Sequence, residues 1–187
     1  DSARNCYENT VDLIDRAQRW LATQRAARRV QAFGGARHEP LPAPERDATL
    51  ARVLPVLRGL CAEGAPKLLH VNTSDEVMAF VDSNDLQPLA ALGTACPDHF
   101  LRTKIRPLVV PEAVHAMAGG ALRAALGELV AQYRADYAAY YERCRRPTSP
   151  PLRDPNPVVL LLPRIGMVTV ARDKATARIA GEFYVNA

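Results

Sequence analysis

The sequence predicts an α/β fold in which a small mixed sheet is covered by long helices. Three observations carry that expectation. Helical periodicity dominates the start and the second half of the chain, and apolar runs of strand length are few and short. The last two such runs are separated only by the turn Pro163-Arg164-Ile165, which gives a hairpin within an otherwise alternating order of helices and strands. With 187 residues, 48% of them hydrophobic and 24% charged, the composition is globular and excludes disorder along the whole length.

The elements follow in order. Ser2 to Arg29 reads as one amphipathic helix capped by Asp1 or Ser2, with Cys6, Leu13, Ala17, Trp20 and Leu21 at helical spacing. Phe33 to Pro44, with two glycines and three prolines, is a loop. Glu45 to Glu63 is a second helix carrying Leu50, Val53, Leu54, Leu57 and Cys61, and Pro55 bends it or marks its true start. Lys67 to Val71 is a strand, Asp75 to Asp82 fits strand or helix, and Leu86 to Leu92 is a short helix closed by Gly93. Ile105 to Val110 is a further strand. Glu112 to Arg146 is a long helical pattern with Leu122, Leu126, Leu129, Tyr133, Tyr137, Tyr140 and Cys144 on a packing face, and Gly119-Gly120 is a possible break in it. Pro147 to Pro157 holds five prolines and reads as a surface connection. Val158 to Leu162 and Gly166 to Ala171 are strands, and Asp173 caps a last helix through Phe183.

Several function classes fall away. The longest apolar run, Val158 to Leu162, is far short of the roughly 20 residues that span a bilayer, and the start carries no basic segment followed by an apolar one. The formal net charge of +4 comes mostly from arginines scattered among acids, and the densest run, Arg25 to Arg29, closes a helix. Neither nucleic acid nor membrane is therefore expected as a partner. Cys6, Cys61, Cys96 and Cys144 include no C-x-x-C pair, and three of them sit in helices at apolar-facing positions, so a reducing, cytoplasmic setting is expected.

The end of the chain, VVLLLPRIGMVTVARDKATARIAGEFYVNA, is similar to the last part of a class II aldolase/adducin unit. In that family the first strand leads into a His-Gly pair whose His is a zinc ligand. The matching residues here are Ile165 and Gly166. The opening, DSARNCYENTVDLIDRA, looks like the helix that follows such a strand, with Asp1-Ser2-Ala3 matching Asp173-Lys174-Ala175. The middle, LHVNTSDEVMAFVDSNDLQPLAALGTACPDHFLRTKIRPLVV, resembles the segment between the two halves of bifunctional class II aldolase/short-chain dehydrogenases of the rhamnulose-1-phosphate aldolase/alcohol dehydrogenase type. PDHFLRTK is its most specific piece.

The resemblance implies an incomplete aldolase/adducin unit. Residues 1–33 would be a helix belonging to a preceding unit, 34–44 a linker, and 45–187 an aldolase-like middle domain with a Pro-rich loop at 147–157. It implies an accessory, non-catalytic role in a sugar-metabolising enzyme, partnered by the missing aldolase and dehydrogenase regions and by further copies of the chain. The alternative is a free-standing adducin-type ligand-binding or oligomerisation module. Zinc and NAD(P) would belong to the missing regions. No His-x-His occurs among His38, His70, His99 and His115, and neither G-x-G-x-x-G nor Tyr-x-x-x-Lys is present, so no complete active site or metal site is expected here.

One dense cluster of chemically able groups remains: Asp98, His99, Arg102, Thr103 and Lys104. Two cations suit a sugar phosphate or carboxylate, with Asp98 orienting His99. The structural alternative, preferred on the residues alone, is a helix start capped by Asp98 with a local Asp98–Arg102 pair. His70, at a strand end beside Asn72, Thr73 and Ser74, reads as structural, and nothing singles out His38 or His115.

Overall fold

The computed structural model describes residues 2–28, 31–62 and 64–187. Asp1, Arg29 and Glu63, which the expectations above also reached, lie outside them. A four-stranded mixed sheet forms the middle layer, in the order β1-β4-β3-β2, from β1 (Leu68–Asn72), β2 (Leu108–Val109), β3 (Val159–Leu162) and β4 (Gly166–Ala171). β4 pairs antiparallel with β1 (Leu68 opposite Ala171) and with β3 (Leu162 opposite Gly166), whereas β2 runs parallel to β3.

Both faces of the central hairpin are covered, which is why VVLLL is apolar at every position instead of alternating. Leu160, Leu162, Val168 and Val170 face one way, into a core with Val53 and Leu57 of α2 (Ala43–Cys61) and Leu122, Leu126 and Val130 of the later helix Gly119–Cys144. Val159, Leu161 and Met167 face the other way, onto Val77 and Val81 of α3 (Asp75–Val81) and Leu86 and Ala90 of α4 (Leu86–Leu92). α5 (Pro97–Thr103) leans on the last helix, α7 (Lys174–Val185), and α6 is Gly119–Cys144. α7 lies close on the sheet because Ala177, Ala180 and Gly181 present almost no side chain. Thr169 Oγ1 donates to the Ala177 carbonyl at 2.7 Å.

Local chemistry settles what periodicity left open. Asp75–Val81 form a helix because Ser74 enters in extended geometry, Asp75 and Glu76 sit in the positive first turn, and Val77 and Val81 share one buried face. The strand expected over 105–110 shrinks to Leu108–Val109, since Pro107 has no amide hydrogen to give the ladder. Pro55 lies inside α2 on its exposed side, so it is not the helix start. The long helix starts at Gly119, not Glu112: a 3-10 turn (Glu112–Ala116) and extended Met117 precede it. α1 (Ala3–Arg28) opens with Ser2 Oγ accepting from the Asn5 amide at 3.2 Å.

One expectation about side chains is corrected. Cys61 is buried, but Cys6 and Cys144 are exposed, because α1 and the last turns of α6 extend beyond the body that would cover them. Residues 34–44 make backbone contacts with the body. Ala36 bridges Ser83, the Arg37 and His38 amides donate to the Asp82 carbonyl, and α2 has begun by Ala43.

Candidate functional site

The PDHFLRTK segment forms α5, with Pro97 in its first turn and Lys104 ending it at φ +63°. Its five candidate groups point in different directions. His99 stacks edge-on against Phe183 of α7 at 5.7 Å between ring centroids, and its buried Nδ1 has no partner. The Arg102 guanidinium lies 5.8 Å from the centroid of the same Phe183 ring. Thr103 is buried and its hydroxyl donates back to the His99 carbonyl at 3.1 Å. Lys104 leaves the helix on the other side: Nζ donates to the Asp154 carbonyl and sits 4.0 Å from the Tyr137 ring centroid. Asp98 is exposed, and no ion pair joins it to Arg102.

Lys104 also ties α5 to the Pro-rich connection. Burial, opposed by the nearby Asp154 carboxylate, brings its amine down to about 8. Burial alone would raise Asp154. Hydrogen bonds from Lys67 and from the Asn156 amide outweigh it and hold the carboxyl below the ordinary range. Asn156 in turn donates to the Cys61 carbonyl and accepts from Arg134 Nε. The 147–157 segment is thus a surface connection at Pro147, Pro150 and Pro151, and an anchored polar hub at Asp154 and Asn156, with Pro157 buried behind it.

A second constellation is invisible in the sequence because its members come from four separate places. Asp82 closes α3, His38 lies in the Pro/Gly loop, Glu112 precedes α6, and Arg164 forms the β3–β4 turn at φ +67°. The Arg164 amide donates to Asp82 Oδ1, its Nη1 to Glu112 Oε1 at 3.0 Å, and its Nε to the Glu39 carbonyl at 2.9 Å. His38 Nδ1 stands 3.5 Å from Glu112 Oε2. The Arg164 hydrogen bond lowers the Glu112 carboxyl, whereas burial raises that of Asp82, whose Oδ2 is unpartnered. A crevice of about 150 Å³ opens beside Arg37, His38 and Glu112. Its volume suits a few waters or a small ion, and the arrangement pins the hairpin tip. His115 lies near Glu112, buried, with both ring nitrogens unpartnered. His70 is in the middle of β1, opposite Thr169, and Asn72 Oδ1 accepts from the Ser74 amide.

The residues at the hairpin do not fit a zinc ion. Ile165 is fully buried in the α2/α6 core and has no donor atom. Among the described residues no group of three or more His, Cys, Asp or Glu converges as metal ligands would. A recess of about 790 Å³ lies between α3, α4 and α7 over Leu161 and Met167, with Phe33, Phe80 and Tyr184 on its walls. Its lining is mostly apolar, with Glu76 and Thr94 among the polar members, and none of the five PDHFLRTK candidates lines it. No described helix is long and apolar enough to cross a membrane.

Residues 48–187 match the family model described as aldolase class II, second domain. The chain is also 31% identical over 189 residues to a protein of Bacillus subtilis (strain 168) named the uncharacterized oxidoreductase YuxG. That match covers 98% of this chain and 26% of the relative, so the chain spans about a quarter of that protein. No solved structure matched the chain.

Proposed function

Since the chain belongs to the aldolase class II second-domain family, we propose that it is an accessory, non-catalytic domain of a longer cytoplasmic polypeptide. That polypeptide would combine class II aldolase and short-chain dehydrogenase activities on a phosphorylated sugar. The observation that carries this reading is Ile165. An alkyl side chain, fully buried, occupies the tip of the β3–β4 hairpin where the resemblance places a zinc ligand. The scaffold is kept while the donor is replaced by core. The oxidoreductase name of the longer relative supports the dehydrogenase half. In this reading zinc and NAD(P) act elsewhere on the polypeptide, and the domain joins and orients the catalytic regions.

The test compares the 187-residue chain with the uninterrupted polypeptide that contains it. Cleavage of a ketose 1-phosphate and NAD(P)-dependent aldehyde oxidation should be found only in the longer protein. In that protein Ile165→Ala should lower the thermal midpoint with kcat intact. Turnover by the short chain that survives repurification, or a collapse of kcat in the folded Ile165 variant, overturns the reading. The apolar recess favours a second one, a free-standing ligand-binding module. An open reading frame that ends at this domain would select it.

A further inference from the structure

The recess over Leu161 and Met167 has the size of a small-molecule site and an aromatic wall that is already assembled. Its volume of about 790 Å³ falls within the roughly 300–1,000 Å³ of such sites. Phe33 meets Phe80 edge-on at 5.1 Å between ring centroids, and Phe80 lies 6.3 Å from Tyr184. Phe33 stays 40% exposed although its backbone is at φ +52°, a left-handed state that a bulky residue adopts only under constraint. The constraint is visible in the neighbouring turn. The Asp85 amide donates to the Phe33 carbonyl at 3.1 Å, and the Asn84 side-chain amide donates to the Gly34 carbonyl at 2.9 Å. An aromatic ring is thus fixed at the edge of the recess instead of being folded into a core. Charge is one-sided as well. Glu76 is the single charged side chain among the described residues that line the recess, and it sits one helical turn before Phe80 on α3. Among the described residues its carboxylate has no ion-pair or hydrogen-bond partner.

We propose that the recess binds a small organic cation with an aromatic body, an aryl-alkyl amine in the simplest case. Its body lies over Leu161 and Met167, and its ammonium group meets Glu76 beside the Phe80 ring. Two independent features select the same charge. The carboxylate accepts from an ammonium, and the faces of aromatic rings carry negative potential. An anion is repelled by both, and no basic side chain among the described lining residues offsets that repulsion. An extended peptide laid in the recess would bring backbone amides and carbonyls that a mostly apolar lining leaves unsatisfied. An amine brings only donors, which Glu76 can accept. The proposal gives a ligand class to the second reading above, and it does not need the chain to be free-standing.

Naphthylethylamine, naphthylethanol and naphthylacetate share one apolar body and differ in charge. Titrated into the 187-residue chain at neutral pH, the amine should bind about tenfold tighter than the alcohol, and the carboxylate weakest of the three. Glu76→Gln should abolish the preference for the amine and leave the alcohol's affinity within about twofold, with the thermal midpoint as the check on folding. The terminal carboxylate of Ala187, also at the recess, is common to both proteins. Carbon-13 labelling of the three methionine methyl groups reports the location. The Met167 signal should move on titration, and that of Met117, packed in the opposite core, should not. A Met167 signal unmoved at about 5 mM amine overturns the proposal. So does an alcohol bound as tightly as the amine, or a Glu76→Gln protein that keeps the preference. In the longer polypeptide the amine should still reach Met167. A Met167 signal there that already differs from that of the 187-residue chain and ignores the amine would show a polypeptide segment in the recess. That result also overturns the proposal, and it leaves the accessory-domain reading untouched.

Discussion

His115 is 7% exposed with neither ring nitrogen partnered, so protonating it would place a charge where nothing receives its hydrogens. Burial is the main cause, and with Arg164 opposed by Glu112 the ring is brought down to about 4 from an ordinary 6.5. Between those values the unfolded chain binds more protons than the folded one. Stability is therefore full above pH 6.5 and is lost as the pH falls toward 4. The loss is about 2 kcal/mol at pH 5. His115→Phe should remove most of the drop in urea-derived unfolding free energy between pH 7.5 and pH 5. A drop of the same size in the variant would assign it to other groups. Asp82, with its raised carboxyl, works in the opposite sense and is common to both proteins. Arg102 poses a different question. Its guanidinium lies over Phe183 at an exposed site, a contact worth about 0.5–1 kcal/mol. Arg102→Ala in the full-length polypeptide should lower the thermal midpoint slightly and leave KM for a phosphorylated substrate unchanged. A raised KM with an unchanged midpoint would instead make Arg102 an anion-recognition residue. At this scale the sequence displayed the PDHFLRTK groups but not their directions, since Lys104 turns away at a positive φ. It hid the Asp82–Arg164 constellation altogether, because no spacing links residues brought together from four loops.

Elements were more legible than residues, and the exceptions share a cause. Periodicity locates an apolar stripe, but backbone chemistry decides where the element begins. Pro107 shortened β2, Gly119 at φ +55° reset the start of α6, and Ser74 with two acids turned an ambiguous apolar stretch into α3. The β3–β4 hairpin came through intact because its signal is local. Its tightest point is Gly166, at φ +136°, where an added Cβ would meet the Asn72 carbonyl oxygen at 2.6 Å. That oxygen belongs to the last residue of β1, so the clash cannot be relieved by turning a side chain. Gly166→Ala should therefore cost about 2–4 kcal/mol, from backbone strain together with displacement of β1. Thermal unfolding measures it, and a loss below about 1 kcal/mol would show that the turn can shift.

For the molecule as a whole, the family match covers 48–187 and leaves α1 outside it, with the described side chains of α1 almost wholly exposed. The layered body owes nothing to α1, so removal of residues 1–28 should leave its thermal midpoint within about 2 °C, measured at micromolar concentration or below. A large loss would mean that α1 supports the body in solution. In the sequence, what set α1 apart was the resemblance of the opening helix to the closing one. Another consequence lies in the strand order. Every strand pair in the sheet includes residues from the 159–171 hairpin: Leu68 waits for Ala171, and Leu108 for Leu160. As the chain leaves the ribosome, α2, β1, α3 and α6 emerge with apolar faces and no sheet to receive them. A chain stalled at Pro157 has both outer strands and neither inner one. Contacts this distant in sequence are slow to close, and during that wait the exposed faces are open to aggregation and to holding chaperones. Translation rate through the thirty or so codons for residues 158–187 should therefore govern how much of this domain reaches the folded state.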